Sequence, residues 1–188
     1  MTKSSKIANS VSAVLVAAIA WLLVKRKSTA VDTTVHVPTP STAASWPNPK
    51  YSTVGYRNNN PLNIVYTNTI WQGEIRPSTD TSLPKKAQFS TMAYGYRAAF
   101  ITIANYGKLY GLYTVSEIVG RWDSSAAAAY TRAICSMTGW PANKVIDSRN
   151  KEEMVTLVTA MSKMENGSNV AVPTDSIQQG WNLYKQTI

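Results

Sequence analysis

Residues 150–167 read NKEEMVTLVTAMSKMENG. Asn150, followed by two glutamates, is an Asn-led variant of a capping box, and Gly167 is a typical residue at the end of a helix. Between them, apolar residues recur at three- and four-residue steps. This pattern predicts an amphipathic helix that buries one stripe. The members of the stripe are Met154, Leu157, Val158, Met161 and Met164.

Glu165 lies in the last turn of this predicted helix, four residues after Met161 and seven after Val158. This spacing places its carboxylate on or beside the apolar stripe. Burial and the unpaired carbonyls of a helix end both disfavour the charged carboxylate. A neutral carboxylic acid is what protonation of a glycosidic oxygen requires. The alternative is a helix-end glutamate that extends into water, and spacing alone favours that alternative.

The sequence around this helix predicts an α+β domain that is mostly helical. Helical periods cover residues 96–110, a stretch to Trp122 that opens with the Thr114–Glu117 capping box, residues 125–137, and a last helix capped by Thr174. Residues 63–66 and 70–72 predict the two strands of a hairpin, and residues 88–90 a third strand.

The N-terminal region predicts a membrane anchor. Ile7 to Val24 carries no charge, and eighteen residues at about 1.5 Å each span about 27 Å. Three basic residues follow directly, which favours a retained transmembrane helix over a cleaved signal peptide. Residues 28–50 are rich in Pro, Thr and Ser and predict an extended linker. The expected organisation is an anchor with basic flanks at 1–27, the linker at 28–50 and a domain at 51–188.

Composition narrows the chemistry. The net charge is +9, but residues 1–50 hold six basic residues and one acidic residue, while residues 51–188 hold thirteen and nine. A domain with so modest a charge argues against a nucleic-acid partner and suits an anionic wall polymer or a lipid surface. One cysteine and one histidine leave no disulfide framework and no metal-ligand spacing. We therefore expect no metal and no cofactor, and carboxylates remain as the acid–base groups.

Residues 55–64 read GYRNNNPLNI. Consecutive asparagines before a proline favour a turn, because the Asn side chain bonds to its own backbone and tolerates left-handed geometry. The segment is either a tight surface turn or a cluster of neutral donors and acceptors for sugar groups. Glu74, in the WQGE motif at 71–74, is the alternative catalytic carboxylate.

Several motifs together resemble a known family. GYRNNNPLNI at 55–64, WQGE at 71–74, YGYRAAF at 94–100 and MENG at 164–167 occur in the order found in phage and prophage virion proteins of the structural protein P5 type. The resemblance spans nearly all of residues 54–168. It departs from the family at Asp123–Ser125 and the alanines that follow, where the family has a Pro-rich acidic loop.

This resemblance implies a virion component with a lysozyme-like domain that cleaves peptidoglycan glycan strands, as a lytic transglycosylase or a lysozyme. Glu165-Asn166-Gly167 is similar to the catalytic helix end of lytic transglycosylases. Asn60-Pro61 is similar to a second motif of those enzymes but comes earlier in the chain, which implies a circularly permuted core. Glu165 would be the general acid, and the glycan would contact Arg57, Asn58, Asn59, Asn60, Asn63, Trp71, Tyr94 and Asn166.

The implied partners are bacterial peptidoglycan, other virion proteins and a lipid membrane, either the internal membrane of the virion or the inner membrane of the host. The expected location is the virion, with single-pass anchoring. The alternative function is a structural membrane protein of the virion, or a peptidoglycan-binding module, without catalysis.

Overall fold

The computed structural model describes residues 52–188. They form six helices and a two-stranded sheet, which confirms an α+β, mostly helical class. The helices are α1 (Val54–Arg57), α2 (Met92–Tyr110), α3 (Val115–Trp122), α4 (Ala127–Thr138), α5 (Lys151–Asn166) and α6 (Thr174–Lys185). The strands are β1 (Glu74–Ile75) and β2 (Gln88–Phe89).

The helix ends follow the local capping chemistry of the sequence. Thr114 and Glu117 form the capping box of α3, and the Asn150 side chain accepts from the N–H groups of the first turn of α5. Gly111 and Gly139 end α2 and α4 in the left-handed conformation that glycine adopts at little cost. The last helix begins one residue earlier than predicted, because Pro173 rather than Thr174 occupies the N-cap position.

The predicted hairpin of residues 63–66 and 70–72 is wrong. β1 pairs instead with β2 in an antiparallel ladder, Glu74 opposite Phe89. Val65 forms an isolated bridge with Lys86. The side-chain amide of Asn60 donates to the carbonyls of both Ile64 and Ala87. Residues 63–66 are therefore held beside residues 86–87 and not beside residues 70–72. The predicted strand at 88–90 is confirmed for Gln88 and Phe89.

The core lies between α2 and α6, which pack on each other, and α5, which contacts both of them. Phe100 meets Trp181 edge to face, with ring centroids 5.4 Å apart. Gly180 permits the close approach of the two helices, since a Cβ there would lie 2.6 Å from the Cβ of Tyr96. One face of α5 is buried through the predicted residues Met154, Leu157, Val158 and Met161.

The anchor predicted at Ile7–Val24 and the linker at 28–50 lie outside the described residues. Between residues 52 and 188, no helix is both long enough and apolar enough to cross a membrane.

Candidate functional site

The carboxylate of Glu165 joins three separate parts of the fold. Its Oε2 accepts a hydrogen bond from the side-chain amide of Asn63 at 2.9 Å, and its Oε1 accepts one from the hydroxyl of Tyr130 at 3.1 Å. Glu165 is only partly buried. The end of α5, the asparagine-rich turn and α4 therefore meet at the carboxylate of a residue that is partly exposed.

Asn63 reaches Glu165 because of its backbone conformation. Its φ is +52°, in the left-handed region that asparagine tolerates better than most residues. Its backbone N–H donates to the carbonyl of Asn60 at 3.0 Å, which closes the turn. The Oδ1 of Asn63 is buried and has no hydrogen-bond partner among the described residues.

Asn166 fastens the turn to the end of α5. Its buried side-chain amide donates to the carbonyl of Pro61 at 2.7 Å and to that of Ser162 at 2.9 Å. Its Oδ1 accepts from the hydroxyl of Thr53 at 2.7 Å. Gly55 makes this approach possible, since a Cβ there would lie 2.6 Å from the Asn166 Oδ1.

Tyr130 is the buried donor of the site. Its side chain comes from α4 and is 4% exposed. Burial is the main cause that raises the pKa of the Tyr130 hydroxyl, and the negative charge of Glu165 adds to it. The hydroxyl therefore stays protonated over the physiological range and donates a hydrogen bond to the Glu165 carboxylate.

The three consecutive asparagines are buried, and their amides bind the protein itself. Asn58 donates to Asp80, Asn59 donates to the carbonyl of Phe89, and Asn60 binds the backbone of Ile64 and Ala87. These bonds hold the small sheet against the turn. Any contribution of Asn58, Asn59 and Asn60 to glycan binding would act through the position of Asn63.

The other predicted ligands lie on two neighbouring surfaces. Trp71 and Tyr94 pack, partly buried, on the small cluster formed by Ala87, Phe89 and Ala98. The guanidinium of Arg57 donates to the carbonyl of Ser52 near the start of α1. The structure thus brings Asn63 and Asn166 to Glu165, whereas Trp71 and Tyr94 belong to the sheet side of the domain.

Glu74, the alternative catalytic residue, has a different environment. Its side chain is 1% exposed, and its Oε2 accepts from the backbone N–H of Trp71 at 3.0 Å and from the Arg76 guanidinium at 3.1 Å. Arg76 also donates to the carbonyls of Thr67 and Thr69. Glu74 therefore belongs to a network that ties the loop before β1 together.

Tyr130 and Thr53 are contacts of the site that the sequence analysis missed. Tyr130 is the one aromatic residue in the alanine-rich stretch 126–133. An isolated tyrosine in such a stretch could have indicated a buried contact with another element, because the neighbouring alanines are too small to cover its ring.

A separate groove among the described residues lies elsewhere. It has a volume of about 1200 Å³ and is lined by residues of α2, the segment 145–149, Met154 and the C-terminal residues. Glu165 does not line it. The hydrogen-bonded carboxylate and the groove thus lie in two different places, and the convergence of three elements on one carboxylate is the better guide to acid–base chemistry.

Fold and site together define a small α+β domain in which one partly exposed carboxylate joins a helix end to an asparagine-rich turn. No family model matches the chain. Protein P5 of Pseudoalteromonas phage PM2 is 33% identical to it over an alignment of 138 residues, and this alignment covers 69% of this chain and 82% of that protein. The chain therefore belongs to the family of phage PM2 Protein P5. This confirms the resemblance to P5-type phage proteins that the sequence motifs carried.

Proposed function

We propose that this chain is a virion protein whose folded domain cleaves the glycan strands of peptidoglycan, as a lytic transglycosylase or a lysozyme-type hydrolase. The observation that carries the proposal is the setting of Glu165. It is a partly exposed carboxylate at a helix end, held by Asn63 and Tyr130 from two other elements. We assign the domain to the lysozyme-like class on the same ground, with the asparagine segment placed before the catalytic helix in a permuted order.

Glu165 would act first as the general acid. It would give its proton to the glycosidic oxygen as the bond from that oxygen to the sugar C1 breaks. The proton leaves a carboxylate behind, and the amide of Asn63 and the hydroxyl of Tyr130 are both donors that stabilise this negative charge. The protein thus already holds donors aimed at the charge that the reaction creates.

The substrate would complete the reaction, because the hydrogen-bond partners of the Glu165 carboxylate among residues 52–188 are Asn63 and Tyr130 and include no second carboxylate. In a transglycosylase, the C6 hydroxyl of the same sugar attacks C1 and returns its proton to Glu165, which gives an anhydro product. In a hydrolase, the N-acetyl oxygen would stabilise C1 until water adds to C1 and gives one proton to the Glu165 carboxylate. Arg57, near the start of α1, and Trp71 and Tyr94, on the sheet side, would position the strand. Asn166 is buried, and its side-chain amide is bound within the protein, so it would act by holding the asparagine-rich turn against the end of α5.

Location and partners follow from the same proposal. The chain would reside in the virion, held in a membrane by Ile7–Val24 and in contact with other virion proteins. The membrane would be the internal membrane of the virion or the inner membrane of the host.

A structural protein without catalysis is the second candidate. Two observations favour it: both oxygens of Glu165 are already hydrogen-bonded within the protein, and the groove of about 1200 Å³ lies away from Glu165. In this function the Asn63–Glu165–Tyr130 contacts would serve only to join three elements, and the domain would bind the cell wall or neighbouring virion proteins.

Incubation of the full chain with purified peptidoglycan, followed by mass spectrometry of the soluble products, separates these functions. Anhydro-muropeptides would identify a transglycosylase, and reducing ends would identify a hydrolase. Intact sacculi would refute the enzyme and leave the structural function.

A further inference from the structure

We propose that the folded domain docks directly on the surface of an anionic lipid bilayer, through the groove at the N-terminal end of α5. This groove is bounded by the second half of α2, by residues 112–113 and 145–149, and by the C-terminal residues 184–188. Met154 of α5 lines it, and Glu165 lies eleven residues further along the same helix, about 16 Å away at 1.5 Å per residue. The groove and the Glu165 site are therefore separate surfaces.

Hydrogen bonds between distant segments fix the walls of the groove. The backbone N–H of Ile146 donates to the carbonyl of Tyr113 at 2.9 Å. The hydroxyl of Tyr184, near the C-terminus, donates to the carbonyl of Ser148 at 3.0 Å. The ring of Tyr113 lies against Gly107, where a Cβ would be only 2.7 Å from it. The groove is thus a preformed part of the fold.

The charge on the groove calls for an anionic partner. Lys108, Arg149 and Lys185 line it and are exposed, and within residues 52–188 none of them forms an ion pair. Asp147 is the one acidic residue in the described lining, and its Oδ1 already accepts from the backbone N–H of Arg149. A basic surface of this kind is attracted to the anionic headgroups of a bilayer.

The apolar side chains around the groove distinguish a bilayer from an acidic protein. Tyr113, Val145 and Ile188 line the groove with 49%, 58% and 64% of their surface exposed. Leu109 and Tyr110, on the last turn of α2, are 62% and 54% exposed. The Tyr113 ring packs against Gly107 and the Tyr110 ring lies under the Arg121 guanidinium, while Leu109, Val145 and Ile188 are mostly exposed. A rigid partner would need a recess for each of these three apolar side chains, whereas the boundary between headgroups and acyl chains adapts to them. The groove also combines Tyr113 with Lys108 and Lys185, and tyrosine and lysine are side chains that favour a membrane interface.

This docking would direct Glu165 away from the bilayer, since the two surfaces occupy opposite ends of α5. The proposal does not depend on glycan cleavage. It stands on the groove alone, and a non-catalytic structural protein would dock in the same way.

A fluorescent reporter on the full chain in lipid vesicles tests the docking. The native thiol is removed by Cys135→Ser, and Val145→Cys carries a polarity-sensitive dye. In phosphatidylglycerol vesicles we expect the emission to shift to the blue relative to phosphatidylcholine vesicles, and to be quenched by lipids that carry a quencher at headgroup depth. A dye on Leu83→Cys is the matched control, because Leu83 is a 96% exposed apolar residue outside the groove.

The charge dependence is tested in the same system. Lys108→Glu combined with Lys185→Glu should return the Val145→Cys dye to its emission in neutral vesicles, and so should roughly 1 M salt, where the Debye length is about 3 Å. Circular dichroism checks that the double variant is folded. The proposal is overturned by an unshifted dye in anionic vesicles, by an equal shift in neutral vesicles or on Leu83→Cys, or by a shift that grows with protein density and so indicates a second copy.

Discussion

Glu165, in the last turn of α5, and Glu74, at the start of β1, are the two glutamates considered as acids, and they differ in exposure and in partners. Glu165 is partly exposed and accepts from two neutral donors, Asn63 and Tyr130. Glu74 is enclosed, with one oxygen bound to Arg76 and the other without a partner among the described residues. One small domain thus holds a partly exposed glutamate bound by neutral donors and an enclosed one paired with a cation, and only the first has the exposure that the proposed general acid needs.

The largest expected effect comes from removing the acid at the helix end. Glu165→Gln keeps the shape of the side chain but cannot supply the proton. We expect release of soluble muropeptides to fall about 10²- to 10⁴-fold, the range typical for loss of a general acid. The rate of release from purified peptidoglycan measures it. Undiminished activity in this variant, with loss in Glu74→Gln, would exchange the roles of the two carboxylates.

A methyl group at Gly55 should break the support of Glu165 without touching the carboxylate. The Cβ of Gly55→Ala would lie 2.6 Å from the Asn166 Oδ1 and 2.9 Å from the Asn60 carbonyl oxygen. Overpacking of this kind costs about 1–3 kcal/mol of unfolding free energy. Urea unfolding measures it. Gly120→Ala is the matched control, since its nearest neighbour would be 3.8 Å away and alanine favours a helix. Equal stability of the two variants would refute the close packing at Gly55.

Glu74→Gln should reduce stability and spare activity. The change removes the charge that pairs with Arg76, whose side chain is 28% exposed and so partly hydrated. We expect a loss of about 1 kcal/mol, at the lower end for a hydrogen bond to a charged group. Thermal unfolding checks the loss, and the peptidoglycan assay checks the activity. An unchanged melting temperature would show that the Arg76 network contributes nothing.

The smallest expected effect is the loss of stability at low pH that comes from Asp80, in the loop before β2. Burial of the Asp80 carboxyl raises its pKa. Hydrogen bonds from the side chains of Ser82 and Asn58 and from the backbone of Lys86 and Ser82 lower it by more. The pKa of Asp80 is therefore lowered from its ordinary value. A lowered folded-state pKa gives stability that is present above pH 4 and is lost as the pH falls through the folded value. The stability difference between the native chain and Asp80→Asn should therefore shrink below about pH 4. Urea midpoints between pH 7 and pH 3 measure it, and a constant difference would contradict the assignment.

The helices could be predicted because their signals are local. The capping box at Thr114, the cap at Asn150 and the stripe of α5 depend on residues within a few positions of each other. The bridge between Val65 and Lys86 could not, because the Asn60 amide beside it binds two segments 23 residues apart in the chain. The position of Glu165 at a helix end was readable for the same reason as the helix. Its partners were not, since Tyr130 and Asn63 lie 35 and 102 positions away.

The bond between Asn63 and Glu165 also has a consequence for synthesis of the chain. The ribosome makes the asparagine-rich turn first and the end of α5 102 residues later. At about 5–20 residues per second, this is an interval of about 5–20 s. During that time the turn lacks Asn166, the residue that fastens it to the rest of the fold. A truncated or nascent chain that stops before α5 therefore contains every asparagine of the turn and no assembled site, so the domain completes its site only when almost its whole length has been translated.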